Sequence, residues 1–261
     1  MSNYLLLLFG KTDCYLSMFD FFHKESAPAQ LPYQTDIHCH ILPGIDDGSQ
    51  SVEDSIALIR QMQSWGIRRI IATPHVTEET FENNADTIGN AYRSLREALD
   101  REGIDIDIRY SAEYRMDEQF LQVLGRNEII PMPKQYILIE NSFLQPFWEL
   151  KDLLFDLQLK GFTPILAHPE RYGYYHNNRE VYEEIHGQGC LFQVNLLSIG
   201  GYYDKTVKNV SEWLMNKGLI DFFGSDLHHQ RHAEFIGKFI ASRDFRKIQE
   251  KVNPQNDKLW E

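Results

Sequence analysis

Along residues 33–245, short apolar runs alternate with longer stretches of helical periodicity. The apolar runs fall in TDIHCH, RRIIATPH, IDIRYSAEY, YILIEN, TPILAHPE, LFQVN and IDFFGSD, and their length and spacing predict strands. Helical patterns lie between most of them. SVEDSIALIRQMQSWG places its apolar residues at helical intervals, has an acidic first turn and ends at Gly66. Segments 84–102, 146–160, 177–188 and 206–217 follow the same pattern. Strand–helix alternation of this kind predicts βαβ units and a parallel sheet. Seven such strands in one chain point to a closed or nearly closed barrel, with a doubly wound open sheet as the alternative.

The ends of these strands carry the polar residues. His38 and His40 end the first, His75 the second, Glu113 the third and Glu140 the fourth. His168 ends the fifth, Asn195 the sixth, and Asp226 with His228 the seventh. From His38 the intervals are 37, 38, 27, 28, 27 and 31 residues, each about one βα unit. In a β/α barrel the C-terminal strand ends build one shared site, so this spacing predicts convergence. Strand alternation puts Asp36, His38 and His40 on one face, and Ile37, Cys39 and Ile41 on the other, toward packing helices.

Each motif alone has a plain structural explanation. A strand histidine is often packed in a core, a strand-end carboxylate is often satisfied locally, and Asp226 in DLHH could cap a helix. Together these explanations fail, because burying so many ionisable groups without cations costs many kcal/mol of desolvation. Imidazole with carboxylate oxygen suits divalent Mn, Fe, Zn, Mg or Co, and no cysteine falls in the pattern.

Composition narrows the class. The 261 residues, 43% hydrophobic and 25% charged, are those of a soluble globular protein with a sizeable core. A net charge of −12 argues against a nucleic-acid surface. It leaves an anionic substrate open, since bound cations do not enter that count. Cys14, Cys39 and Cys190 form no CxxC and no disulfide framework, which fits a reducing, cytoplasmic setting. The run YLLLLF is too short to span a bilayer, and KESAPAQLP (24–32) has linker composition. The expected organisation is an extension over 1–32, a main domain over 33–250 and a tail over 251–261.

The stretches DIHCHILPGIDDG, IIATPH, AEYRM, YILIEN, DLQLKGFTPILAHPERY and GSDLHH resemble the PHP superfamily, named for polymerase and histidinol phosphatase domains. Within it they resemble the bacterial manganese-dependent tyrosine-protein phosphatases of capsule and exopolysaccharide clusters. The resemblance implies an α/β fold, a distorted (β/α)7 TIM-like barrel in a single domain. It also implies three divalent metal ions, with manganese first and Fe, Mg, Zn or Co as alternatives. By motif position His38, His40, Glu113 and Asp226 would hold the first ion; Glu113, Glu140 and His168 the second; Asp47, His75 and His228 the third. Asp47 is preferred over its neighbour Asp46, which is assigned to the turn or to supporting the ligands. Arg171 in HPER matches the family's phosphate-binding arginine, and Arg231 is the nearest candidate for a second one, at a shorter spacing. His229 stands where asparagine is expected, and is read as exposed. Phe81, Tyr114, Phe143 and Tyr172 would either line a cleft for a phenyl ring or belong to the core.

The implied substrate is a phosphotyrosine protein, a membrane-bound tyrosine autokinase of polysaccharide export, with phosphate as product. No CxxxxxR loop is present, which separates the chain from thiol-based tyrosine phosphatases. A small-molecule phosphomonoesterase of the histidinol-phosphatase type is the alternative. A metal-dependent nuclease is disfavoured by charge, and a metal-stabilised binding module has no use for a phosphate clamp.

Overall fold

The computed structural model describes residues 29–260. The chain opens with β1 (Thr35–Asp36), α1 (Val52–Ser64), β2 (Arg69–Ala72), β3 (His75–Val76) and α2 (Ala85–Glu102). It continues through β4 (Asp107–Tyr110), β5 (Glu113–Arg115), α3 (Glu118–Gly125), β6 (Tyr136–Glu140) and α4 (Leu150–Leu159). Then come β7 (Thr163–Ala167), α5 (Glu180–Gly187), β8 (Leu191–Asn195), α6 (Leu196–Gly200) and α7 (Lys205–Lys217). The last elements are β9 (Phe222–Gly224), α8 (Gln230–Ile240) and α9 (Arg243–Gln249). Several helices start where a side chain satisfies their first N–H groups. Ser51 accepts from Asp54 N at the start of α1, and Asn84 with Thr87 forms a reciprocal capping box at the start of α2.

All strand pairs are parallel, in the orders β1-β2-β4 and β3-β5-β6-β7-β8-β9. The apolar runs RRIIATPH and IDIRYSAEY are each broken in two, at Thr73–Pro74 and at Ser111–Ala112. Pro74 has no N–H to give to a ladder. Backbone bonds still cross the break, from Ser111 N to Ala72 O at 2.9 Å and from Glu113 N to Pro74 O at 3.0 Å. The sheet curls until its two ends meet. Cys39 bridges Leu227 in parallel, Asp226 N donates to His38 O at 2.8 Å, and His40 N to Leu227 O at 3.0 Å.

Side-chain alternation separates the core into two layers. Ile70, Ala72, Ile137, Ile139, Leu166, Phe192, Val194 and Phe223 pack outward against the helices. Ile71, Leu138, Ile165, Ala167 and Phe222 pack inward on one another. Ile37 joins this inner group while Cys39 and Ile41 face the helices. Strict alternation over residues 36–41 therefore fails at Ile37. Strand β1 ends at Asp36 and the chain bends at His38, so an inward Ile37 can precede an inward His38.

Residues 252–260 pack into this architecture rather than trailing from it. Leu259 belongs to the inner apolar group. Asn256, wholly buried, donates to Thr35 O at 3.0 Å and Phe223 O at 2.7 Å, and accepts from Phe223 N at 3.1 Å. Asp257 accepts from Gln34 N, the Thr35 hydroxyl and Arg69. These contacts close the N-terminal end of the sheet. Of the expected N-terminal extension, residues 1–28 lie outside the described residues. Leu31 is buried, and its N–H donates to Trp65 O at 2.8 Å.

Candidate metal centre

His38, His40, Glu140, His168, Asp226 and His228 stand at or beyond the C-terminal ends of strands, His75 and Glu113 open the short strands β3 and β5, and the curl of the sheet brings all eight together. Two of them need unusual backbone to get there. His168 and Asp226 have φ of 32° and 49°, left-handed conformations one residue beyond β7 and two beyond β9. Such conformations cost of order 1–3 kcal/mol each and persist where the surroundings hold them.

Glu113 is the hub. Its Oε2 lies 3.2 Å from His38 Nε2, 3.4 Å from His40 Nε2 and 3.1 Å from His75 Nδ1. Its Oε1 lies 3.0 Å from His168 Nε2, which is also 3.5 Å from Glu140 Oε1. Asp226 Oδ1 is 3.5 Å from His38 Nε2 and 3.4 Å from His40 Nε2. Yet Glu113 Oε2 and His75 Nδ1, both buried, form no hydrogen bond. His168 Nε2 bonds Glu113 Oε1 and His40 Nε2 meets His38 Nε2 at 3.3 Å, but the set as a whole converges on shared space. Overlapping groups of three or four could each hold an ion: His40, Asp47, His75 and His228; His38, Glu113 and His168; His38, His40 and Asp226; His75, Glu113 and Glu140.

Hydrogen bonds fix which nitrogens can ligate. Asp226 can only accept, so Asn195 donates its amide to Asp226 Oδ2 at 2.6 Å. Asn195 Oδ1 then accepts from Gln193 Nε2 at 2.8 Å, and Gln193 Oε1 accepts from His38 Nδ1 at 2.6 Å. His38 thus donates from Nδ1 to Gln193 and aims Nε2 inward, the nitrogen that would face an ion. Asp46 Oδ2 does the same for His40 at 2.8 Å, and the Asp226 carbonyl for His228 at 2.9 Å. Carboxylate or carbonyl partners behind ligating histidines are the usual means of setting tautomer and aim. Gly224 and Gly48 make room: a Cβ on Gly224 would stand 2.5 Å from Gln193 Nε2, and one on Gly48 would stand 2.4 Å from His40 Cβ.

The geometry separates the adjacent aspartates. Asp46 is buried and fully used, taking His40, Gly48 N at 2.9 Å and His75 N at 3.1 Å. Asp47 is exposed and reaches His75 Nε2 and His228 Nε2, each at 3.6 Å from Oδ1. Asp47 therefore joins the donor group, while Asp46 orients it.

The charge state shows a demand for cations. Burial pulls the His38 imidazole down, but Glu113 and Asp226 outweigh it and hold its pKa up at about 9. Burial, then the Glu113 charge, pushes the Glu140 carboxyl up to about 8. Burial keeps His75 and His168 neutral, with pKa values near 4. Asp46, then Asp226 and Glu113, likewise hold the His40 imidazole well up against burial, so without an ion protons on His38, His40 and Glu140 stand where cations would. A divalent cation would meet that demand, and the oxygen and nitrogen donors, with no thiolate, fit one. Cys39 and Cys190 are buried elsewhere and their thiols are raised by burial.

A cavity of about 410 Å³ opens over the cluster. Arg171, on a short turn after β7 (Pro169–Arg171), reaches into it with Nη1 3.1 Å from Asp226 Oδ2. Its guanidinium is sandwiched between the rings of Phe143 at 4.6 Å and Tyr203 at 4.5 Å. Arg231 is not brought here: it is exposed on the first turn of α8 and does not line the cavity. His229 is exposed, accepts from His232 N as the cap of α8, and sits on the cavity rim. Phe81 and Phe143 line the cavity, whereas Tyr114 and Tyr172 are buried supports, bonding Ile130 N and Ala167 O respectively. Sequence reasoning did not single out Arg115, Tyr203, Thr77, Thr80 or His232, all of which line it. Arg115 had a signal, standing two residues beyond Glu113 on one strand face. Tyr203 had none, since only the packing of the α6–α7 connection places it over Arg171.

The family model for capsular polysaccharide synthesis, CpsB/CapC, matches residues 34–249. Tyrosine-protein phosphatase YwqE of Bacillus subtilis (strain 168) is 34% identical over 201 residues, 77% of this chain and 79% of that protein. Tyrosine-protein phosphatase CpsB of Streptococcus pneumoniae is 30% identical over 200 residues, 74% of this chain and 82% of that protein. A chain from the crystal structures of YwqE and CpsB, described as unique metal-dependent tyrosine phosphatases, matches with a TM-score of 0.73 and 31% identity. That match covers 83% of this chain and 91% of that one.

Proposed function

Since the chain belongs to the CpsB/CapC family of capsular polysaccharide synthesis, we propose that it is a metal-dependent protein-tyrosine phosphatase. The observation that carries this is the joining of two devices in one cavity. A cluster of inward-aimed imidazoles and carboxylates lies beside a guanidinium, Arg171, locked by Asp226 and two aromatic rings.

Divalent ions held by such donors supply Lewis-acid charge and an activated water for attack on phosphorus. The likeness to the PHP superfamily supports three of them, manganese first. The ligands would be His38, His40, Asp47, His75, Glu113, Glu140, His168, Asp226 and His228. Arg171 binds the equatorial phosphate oxygens, which its planar fork matches better than an ammonium would. Asp226 and the flanking rings keep that fork from swinging away. The tyrosinate leaving group, with a pKa near 10, departs with little help from an acid. The same likeness supports counting β2 with β3 and β4 with β5 as single strands, which makes the curled sheet a distorted (β/α)7 barrel in one domain. The physiological substrate would be a tyrosine autokinase of capsule or exopolysaccharide export, met at its cytoplasmic face. No helix among the described residues is long and apolar enough to cross a membrane.

The test is hydrolysis of p-nitrophenyl phosphate with manganese and with chelator, followed by a phosphotyrosine peptide against histidinol phosphate. Metal-dependent turnover with preference for the peptide is expected. Manganese-loaded protein that hydrolyses neither aryl phosphate nor peptide would overturn the proposal.

A further inference from the structure

All five large apolar side chains that stand exposed among the described residues fall between residues 143 and 159: Phe143, Leu144, Trp148, Phe155 and Leu159. Leu144 is 92% and Trp148 85% exposed. Single exposed apolar residues need no explanation, but a concentration beside a functional cavity does. These five lie on the β6–α4 connection and along α4, where Phe155 and Leu159 are one turn apart.

The connection also walls a groove of about 560 Å³, lined by Met116, Ser142, Gln145, Pro146, Phe147 and Trp148. The groove and the metal-centre cavity share a border. Arg115 lines the cavity and Met116 the groove; Phe143 lines the cavity and Ser142 the groove. The connection is held in shape rather than left loose. Phe147 N donates to Asn141 Oδ1 at 2.9 Å, Leu144 N to Ser142 Oγ at 3.2 Å, and the Tyr174 hydroxyl to Ser142 O at 2.9 Å. At the border, Arg115 spends only Nε on Glu140, at 2.9 Å, and its terminal amino groups bond none of the described residues.

We propose that this groove, with Trp148 as its outer wall, is a docking subsite for an apolar residue flanking the phosphotyrosine of a polypeptide substrate. It rests on the phosphotyrosine reading of the neighbouring cavity and deepens it. Continuity with that cavity identifies the occupant. A chain whose phosphotyrosine enters the cavity beside Arg171 crosses the border at Arg115. There the free amino groups can take its backbone carbonyls, and the next side chains meet Met116, Pro146 and Trp148. A small phosphomonoester is too short to reach the groove and has no use for it. An isolated aromatic wall of this kind is the type of residue on which recognition energy concentrates.

The test compares kcat/KM for p-nitrophenyl phosphate, a phosphotyrosine peptide with leucine and phenylalanine at the flanking positions, and the same peptide with serine there. The manganese-loaded wild type, Trp148→Ala and Trp148→Phe are assayed. The wild type is expected to prefer the apolar peptide about tenfold over the serine peptide. Trp148→Ala should erase that preference and lower the apolar-peptide to p-nitrophenyl phosphate ratio about tenfold, and Trp148→Phe should keep most of it. An unchanged preference in Trp148→Ala overturns the subsite. A dimer in sedimentation velocity that Trp148→Ala dissociates, with preference unchanged, overturns it in favour of a second copy of the chain. If the wild type turns over p-nitrophenyl phosphate but neither peptide, the phosphotyrosine reading itself fails, and the subsite with it.

Discussion

Asp46 Oδ2 lies 2.8 Å from His40 Nδ1, and through that bond a residue of the turn aims a strand-end imidazole at Glu113 and Asp226. The adjacent Asp47 points the other way, toward His75 and His228. Substituting each should therefore have a distinct signature. Asp46→Asn keeps all ligand atoms but weakens the partner behind His40, and should lower metal affinity roughly 10–100-fold. Asp47→Ala removes a donor, and should leave less metal per chain after dialysis. Metal content by atomic emission and affinity by calorimetry separate the two. Identical losses in both variants would contradict the assignment.

Arg171, Arg231 and Arg115 should differ in kind. Arg171→Lys keeps the charge but loses the fork and the stacking on Phe143 and Tyr203, and should reduce kcat/KM about 100-fold while weakening phosphate inhibition. Arg231→Ala, at an exposed position, should stay within about twofold of wild type. Arg115→Ala should raise KM for peptides more than for p-nitrophenyl phosphate. Steady-state kinetics on both substrates decides each case.

Thiol chemistry should be irrelevant to turnover. Cys39 and Cys190 are buried and burial raises their thiol pKa values, so the reactive thiolate is scarce. Iodoacetamide at pH 8 should leave both unlabelled by mass spectrometry and activity intact. Chelator should abolish activity, and added manganese should restore it. Inactivation that follows labelling of either cysteine would refute this.

Asn256 joins residues that are far apart in sequence, bonding Thr35 O and both backbone groups of Phe223 at full burial. Asn256→Ala leaves those groups unpaired and should cost about 3 kcal/mol in urea unfolding. Ending the chain at residue 252 should cost more, since Leu259 is lost from the inner core. A truncated protein as stable as the full chain would show that these residues are dispensable.

Tyr175 supplies a pH dependence away from the metal centre. Burial pushes its phenol up to about 12, the nearby Asn141 side chain opposing. The unfolded phenol ionises near 10, so between those values the unfolded chain has lost its proton and the folded one has not. Stability should therefore fall as pH rises from about 10 to about 12, by at most 2–3 kcal/mol from this group. Urea midpoints across that range should fall less steeply in Tyr175→Phe.

Much of the architecture is local enough to be read along the chain. Apolar runs of strand length, helical spacing between them and a near-constant βα interval are properties of neighbouring residues, so the parallel sheet and the polar strand ends are legible. The candidate donors are legible for the same reason, because each sits at a boundary where an apolar run stops. What depends on distant residues meeting is not. Glu113 becomes the hub only when β3, β5, β6 and β7 lie in that order in one sheet. Tyr203 reaches Arg171 across the fold, Leu259 and Asn256 turn an expected tail into the floor of the sheet, and a short spacing leaves Arg231 in solvent. The bend after Asp36 turns Ile37 inward against the simple alternation. Composition and periodicity specify which residues prefer burial and which strand they end. Only the closed chain, through packing and hydrogen-bond directions, specifies which of two neighbours, Asp46 or Asp47, turns toward the centre.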